Sequence, residues 1–174
     1  MTIWVAFLRG VNLGKRRMKM AELKAACEAM GLTQVKTILA SGNVRFETGD
    51  AGGLKGKLED GLSQAFDFRI GVILRSAAEI EAMIGEAPFD KVAPEADVAL
   101  HVLLTHQTLD PRPDLSGLSE YIEVPRIDER EIYFVAHRQP NGRYTEGLDK
   151  LGPMLPKGIE VTMRNWNTML KVLA

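Results

Sequence analysis

Ile3-Trp4-Val5-Ala6-Phe7-Leu8 is an unbroken apolar run that ends abruptly in Arg9-Gly10-Val11-Asn12-Leu13-Gly14. A short run without alternation reads as a central strand buried on both faces. The polar, glycine-bearing island after it reads as a strand-end loop, where binding groups tend to sit. Beyond the loop, Met20, Leu23, Cys27 and Met30 share one face of a helix, and Gly31 supplies the residue that ends it. Val35–Leu39 and Val44–Thr48 read as two strands joined through Ser41-Gly42-Asn43, residue types that tolerate positive φ. Leu54, Leu58, Leu62 and Phe66 recur every fourth residue as a second amphipathic helix, and Ile70–Leu74 is a fourth strand. The order is βαββαβ.

The pattern then restarts. Ser76–Ile84 predicts a linking helix, with Ser76 as N-cap and Glu79 three residues on as a capping box. Gly85–Asp97, with Pro88 and Pro94, reads as a loop. Val98–Leu104 is a strand, Asp114–Ser119 a short helix, and Tyr121–Ile127 with Glu131–Ala136 a hairpin. Tyr144–Leu151 is a short helix, Ile159–Met163 the eighth strand, and a terminal helix starts near Trp166. The fold class expected is α+β: two similar ferredoxin-like βαββαβ halves, a pseudo-duplication, plus a linking helix and a C-terminal helix. The halves span 1–75 and 98–174, with 76–97 between them, in one compact unit.

Such a half orders its strands four-one-three-two, and right-handed crossovers set their directions. The end of strand one and the turn between strands two and three then meet at one rim. Arg9, Gly10, Asn12, Gly14, Ser41 and Asn43 thereby become one candidate site. Arg9 is suited to a carboxylate or phosphate, and the amides to orienting it. A third island, Thr162-Met163-Arg164-Asn165-Trp166-Asn167-Thr168, precedes the last helix. Asn165 is its expected cap, and Trp166, Met169, Leu170 and Leu173 its expected core face. Arg164 and Asn167 have no structural duty in this reading. They join the candidate set on condition that the halves face each other suitably.

Composition narrows the function classes. The chain has 174 residues, 45% hydrophobic and 26% charged, with net charge −1. These are the proportions of a globular domain, with no global signature of nucleic-acid binding. No apolar stretch is long enough for a membrane span, and no secretory leader is evident, so a cytoplasmic location is expected and no membrane partner. One cysteine, Cys27, excludes an intrachain disulfide. Lys15, Arg16, Arg17 and Lys19 form a basic patch, either a solvated loop or an anion-binding face.

No chemistry is spelled out. The first island lacks the third glycine and the acid of a dinucleotide loop, and no Gly-Lys-Ser/Thr closes a P-loop. His101 and His106 do not have zinc-ligand spacing, and no base accompanies Ser41. No cofactor and no metal are expected. Trp4, Phe7 and Phe46 are available on the first and third strands for an RNA-recognition surface, but the third strand lacks its Gly-Phe-x-Phe run and the first is apolar on both faces. The leading expectation is a binding domain for a small anionic ligand, a nucleotide or phosphometabolite. Nucleic acid on the Lys15–Lys19 face, an enzyme of unknown reaction and a protein-interaction domain are the alternatives.

Together, the Arg9–Gly14 island, Ala40-Ser41-Gly42-Asn43-Val44-Arg45-Phe46 and Thr162–Thr168 resemble the bacterial domain-of-unknown-function family numbered 1697. The resemblance implies a compact α+β protein with duplicated ferredoxin-like halves, and no activity. Tyr144-Thr145-Glu146-Gly147-Leu148-Asp149-Lys150 departs from the Ser-Lys pairing of that family, so the resemblance assigns it no role.

Overall fold

A computed structural model describes residues 1–11, 17–38 and 42–174. The protein is α+β, built on two four-stranded antiparallel sheets with several helices. The chain divides into two units: Met1–Ala82 with Thr168–Ala174, and Met83–Asn167.

In the first unit, β1 (Thr2–Arg9), α1 (Met20–Ala29), β2 (Thr33–Ile38), β3 (Asn43–Thr48), α2 (Leu54–Phe66) and β4 (Gly71–Ser76) follow the expected βαββαβ order. The sheet runs β2-β3-β1-β4, so the central strand is the apolar run that opens the chain. Alternation divides its residues. Ala6, Leu8, Val44, Phe46, Val72 and Leu74 pack with Leu23 and Cys27 of α1 and Leu54, Leu58 and Leu62 of α2. Val5, Phe7 and Ile73 point to the other face and are also fully buried. Burial on both faces explains why β1 has no polar alternation. Gly31 follows α1 at φ +86° with open space around it, whereas α2 ends on Asp67 at φ +58°.

α3 (Ala77–Gly85) starts directly from β4. Its first turn is closed by the capping box read from the sequence. The Glu79 N–H donates to Ser76 Oγ at 3.2 Å, and the Ser76 N–H and hydroxyl donate to Glu79 Oε1 at 3.4 and 3.2 Å. Ser76→Ala should therefore cost about 1 kcal/mol in a urea titration. An unchanged midpoint would show that α3 starts without this cap.

The second unit holds β5 (Val98–Thr105), β6 (Ile122–Ile127), β7 (Glu131–His137), a 3-10 helix (Leu148–Met154) and β8 (Val161–Asn165), in the order β6-β7-β5-β8. Three sequence expectations are corrected here. Asp114–Ser119 forms no helix, because local turns win. Asp114 Oδ1 accepts the Ser116 N–H at 3.0 Å, and the Leu118 N–H returns to the Leu115 carbonyl at 3.1 Å. The helix expected over Tyr144–Leu151 lies further on, because the Gln139 amide donates to the Tyr144 and Glu146 carbonyls and holds that stretch as a turn. β8 starts two residues later than expected. The second unit therefore lacks a helix between its first two strands. Its core gathers Leu103, Leu109, Leu115, Ile122, Ile132, Phe134 and Leu151.

α4 (Trp166–Lys171) follows β8 without a loop. Its buried apolar residues are Trp166 and Met169, with buried Val172 just past its end, not the expected set, since Leu170 is 47% exposed. In the second unit Phe89, Tyr133 and Trp166 form an edge-to-face cluster with centroids 5.3–5.9 Å apart.

Candidate functional site

The rim of the first sheet is built by two pieces of backbone far apart in sequence. Phe7 lies opposite Asn43 in the β1–β3 ladder, so Arg9 continues on the same face two residues beyond. The Leu8 N–H donates to the Gly42 carbonyl at 2.9 Å and ties the β2–β3 turn to the end of β1. The approach is close. A Cβ on Gly42 would stand 3.0 Å from Val11 Cγ2 and 3.1 Å from Leu8 Cβ, and its φ of +78° is left-handed. Topology alone predicted this meeting of segments.

Arg9 lies across Gly71, its register partner on β4: a Cβ there would meet Arg9 Nη1 at 3.2 Å. The missing side chain leaves room for the guanidinium at the strand end. Gly10, at φ +75°, turns the chain away beside the Arg69 carbonyl. Asn12, Gly14, Lys15, Arg16 and Ser41 lie outside the described residues. Arg17 and Lys19 are exposed on either side of buried Met18, so the apolar residue anchors the segment while the cations face out. Asn43 is fully buried, and its Nδ2 donates to the Ile38 carbonyl at 2.9 Å. That bond stabilises the β2–β3 turn, which gives Asn43 a structural task that the sequence did not show.

Arg164 has one as well. It belongs to the second unit, opposite Val102 on β5, and is 7% exposed. Its Nη1 donates to Thr162 Oγ1 at 2.6 Å and to the Met163 carbonyl at 3.0 Å. Burial pulls its guanidinium down to about 10. Asn165 Oδ1 accepts the Asn167 N–H at 2.8 Å, so Asn167 contributes its backbone to the cap of α4.

Arg75, in the first unit, was missed by the sequence reading. It is fully buried on β4, opposite Val5, with Nη1 donating to the Leu74 carbonyl at 3.0 Å and Nε 3.9 Å from Glu79 Oε2. A signal was there. Leu74-Arg75-Ser76 and Met163-Arg164-Asn165 place arginine at the same step between strand and helix cap.

Each remaining candidate for chemistry has its own setting. Burial pushes the Cys27 thiol up to about 12, so it is an inert core group. His137 Nε2 meets Glu123 Oε2 at 2.5 Å on the surface. His101 is held below its usual range by burial. Asp128 accepts from Arg126 Nε at 2.7 Å, which makes the acidic hairpin tip an ion-pair network with Glu86. Among the described residues no three His, Cys, Asp or Glu side chains cluster as a metal site would need. Phe7 and Phe46 are fully buried and Trp4 is partly buried against the core, so none of these three described aromatics stands free on the sheet surface.

The model of the family described as Protein of unknown function (DUF1697) matches residues 1–133, which include the whole rim. The chain belongs to the DUF1697 family. This member is similar in structure to a conserved bacterial protein of Streptococcus pneumoniae, with a TM-score of 0.76 and 22% identity over 99% of this chain and 96% of that one. At that identity the likeness is one of fold. No curated protein matches the chain. No helix among the described residues is long and apolar enough to cross a membrane.

Proposed function

We propose that this DUF1697 protein is a binding domain for a small anionic ligand, a nucleotide or phosphorylated metabolite, held at the rim of the first sheet. One observation carries the reading: the Leu8–Gly42 hydrogen bond joins the Arg9 loop to the β2–β3 turn, with Arg9 on the shared rim. Arg9 and the backbone of Gly10 to Gly14 hold the anion, and Asn12 and Ser41 orient it. Asn43 supports them by fixing the turn. The exposed Arg17 and Lys19 add local positive charge that raises the encounter rate. Cys27, the single buried thiol, fits a reducing cytoplasm.

A thermal-shift series with nucleotides and phosphorylated sugars tests this. A ligand at one hundred times its Kd adds about 2.7 kcal/mol, or roughly 5–10 °C for a chain of this size. The shift should vanish in Arg9→Ala. Absence of any shift at millimolar ligand, or a shift that Arg9→Ala retains, would count against the rim.

We also infer that the two halves are a pseudo-duplication on the ferredoxin-like plan, the second having lost its first helix. Its support is the pairing of Arg75 with Arg164, each buried one residue before a helix cap and each donating Nη1 to the preceding carbonyl. Ile80 and Met169, five residues after each arginine, are both fully buried.

A further inference from the structure

Register sets Lys36 of β2 opposite Arg45 of β3, and Arg45 opposite Val5 of β1. The two cations therefore stand side by side on the face turned away from α1 and α2. Like charges directly opposite each other repel. Among the described residues no acidic side chain lies within ion-pair distance of either. What both engage is the end of the sequence. Lys36 Nζ donates to the Ala174 oxygen at 3.1 Å, and Arg45 Nη1 donates to the Leu173 and Ala174 oxygens at 2.8 and 3.2 Å. Two cationic donors thus converge on one oxygen, the arrangement that charge-assisted recognition of an oxyanion requires.

A hollow of about 530 Å³ adjoins the pair around the β2 edge, where Lys36 and Arg45 meet Gln34, Glu47 and the α1 residues Lys24 and Glu28, while Leu173 and Ala174 lie outside its lining. Gln34 sits there at φ +50°, where the β2–β3 register shifts. A left-handed conformation at a residue other than glycine is held by its surroundings and is concentrated at binding sites.

We propose that Lys36 and Arg45 form an oxyanion site, and that the backbone oxygens of Leu173 and Ala174 are its internal occupant, displaced when a phosphate or carboxylate ligand binds. The site is separate from the Arg9 rim, which lies further along β1. Its failure and that of the rim are distinguishable, because Arg9→Ala leaves this pair intact.

The test is amide and arginine side-chain NMR of the full chain, titrated with inorganic phosphate in one arm and acetate in the other, each against chloride at equal ionic strength. Saturable shifts at Lys36, Arg45, Leu173 and Ala174 are expected, and the tighter arm identifies the oxyanion class. Arg45→Gln should weaken binding about tenfold. The exposed Lys36→Gln repeats the test without touching the partly buried arginine. Shifts that chloride reproduces, that are absent in both arms or that survive both substitutions would overturn the site. Binding that leaves the Leu173 and Ala174 signals unmoved would overturn the displacement.

Discussion

Arg75→Ala should cost about 3 kcal/mol and lower the melting temperature by roughly 6–12 °C. Arg75 is the largest of the fully buried side chains. Truncation removes its stem from between well-packed neighbours and leaves the Leu74 carbonyl without the donor that stands 3.0 Å away. Glu79, at 36% exposure, can turn to water, so the loss of that distant ion pair adds little. Arg75→Met separates the contributions. It keeps most of the volume and removes the charge, so it should lie within about 1–2 kcal/mol of wild type, since buried ion pairs are often replaceable by apolar groups. Chemical unfolding of both variants checks this, and an alanine variant as stable as the parent would sink the argument. If the halves are a repeat, Arg164→Ala should lose a similar amount. A loss under about 1 kcal/mol would separate the two arginines and remove the support for duplication.

Gly42→Ala should be destabilised by about 2–5 kcal/mol and should lose rim binding as well. Two costs add. A left-handed φ of +78° costs an L-residue about 1–2 kcal/mol. A Cβ within 3.0 Å of Val11 and 3.1 Å of Leu8 then forces a shift that costs about 1–3 kcal/mol. Gly31→Ala is the control, because Gly31 has φ +86° with nothing within 4 Å of its would-be Cβ. It should show the conformational cost alone. The difference between the two variants, read by urea unfolding, measures how tightly the turn is pressed against β1. Equal losses would mean that the contact yields freely and that the rim is not held by it.

The first sheet was legible because its signals are local and concordant. An apolar run with no alternation, two helical stripes, a capping box and glycines at turns each restrict the chain by steric and hydrogen-bonding rules that need no distant partner. The second unit was less legible. Asp114–Ser119 has helix-compatible residues, yet Asp114 bonds its own neighbours, and short polar segments are decided by such competition. α4 shows the same limit. Leu170 and Val172 are both apolar, and only the surfaces around the helix decide that Val172 is buried and Leu170 exposed.

The candidate site divides in the same way. That the end of β1 meets the β2–β3 turn followed from connectivity and handedness alone, and so did the presence of Arg9 at that rim. The duties of Asn43, Arg75 and Arg164 did not. A polar side chain in a sequence carries donors and acceptors but no address, and whether they face water, ligand or a neighbouring carbonyl is settled by burial. The sequence by itself determined the order of strands and helices in the first unit and the caps at Gly31 and Ser76, because these arise from residues near one another in the chain. Only the tertiary structure decided that Asn43 closes a turn, that two arginines stabilise strand ends from within, and that Lys36 and Arg45 converge on Ala174. Each of those bonds depends on which groups lose water when distant segments pack.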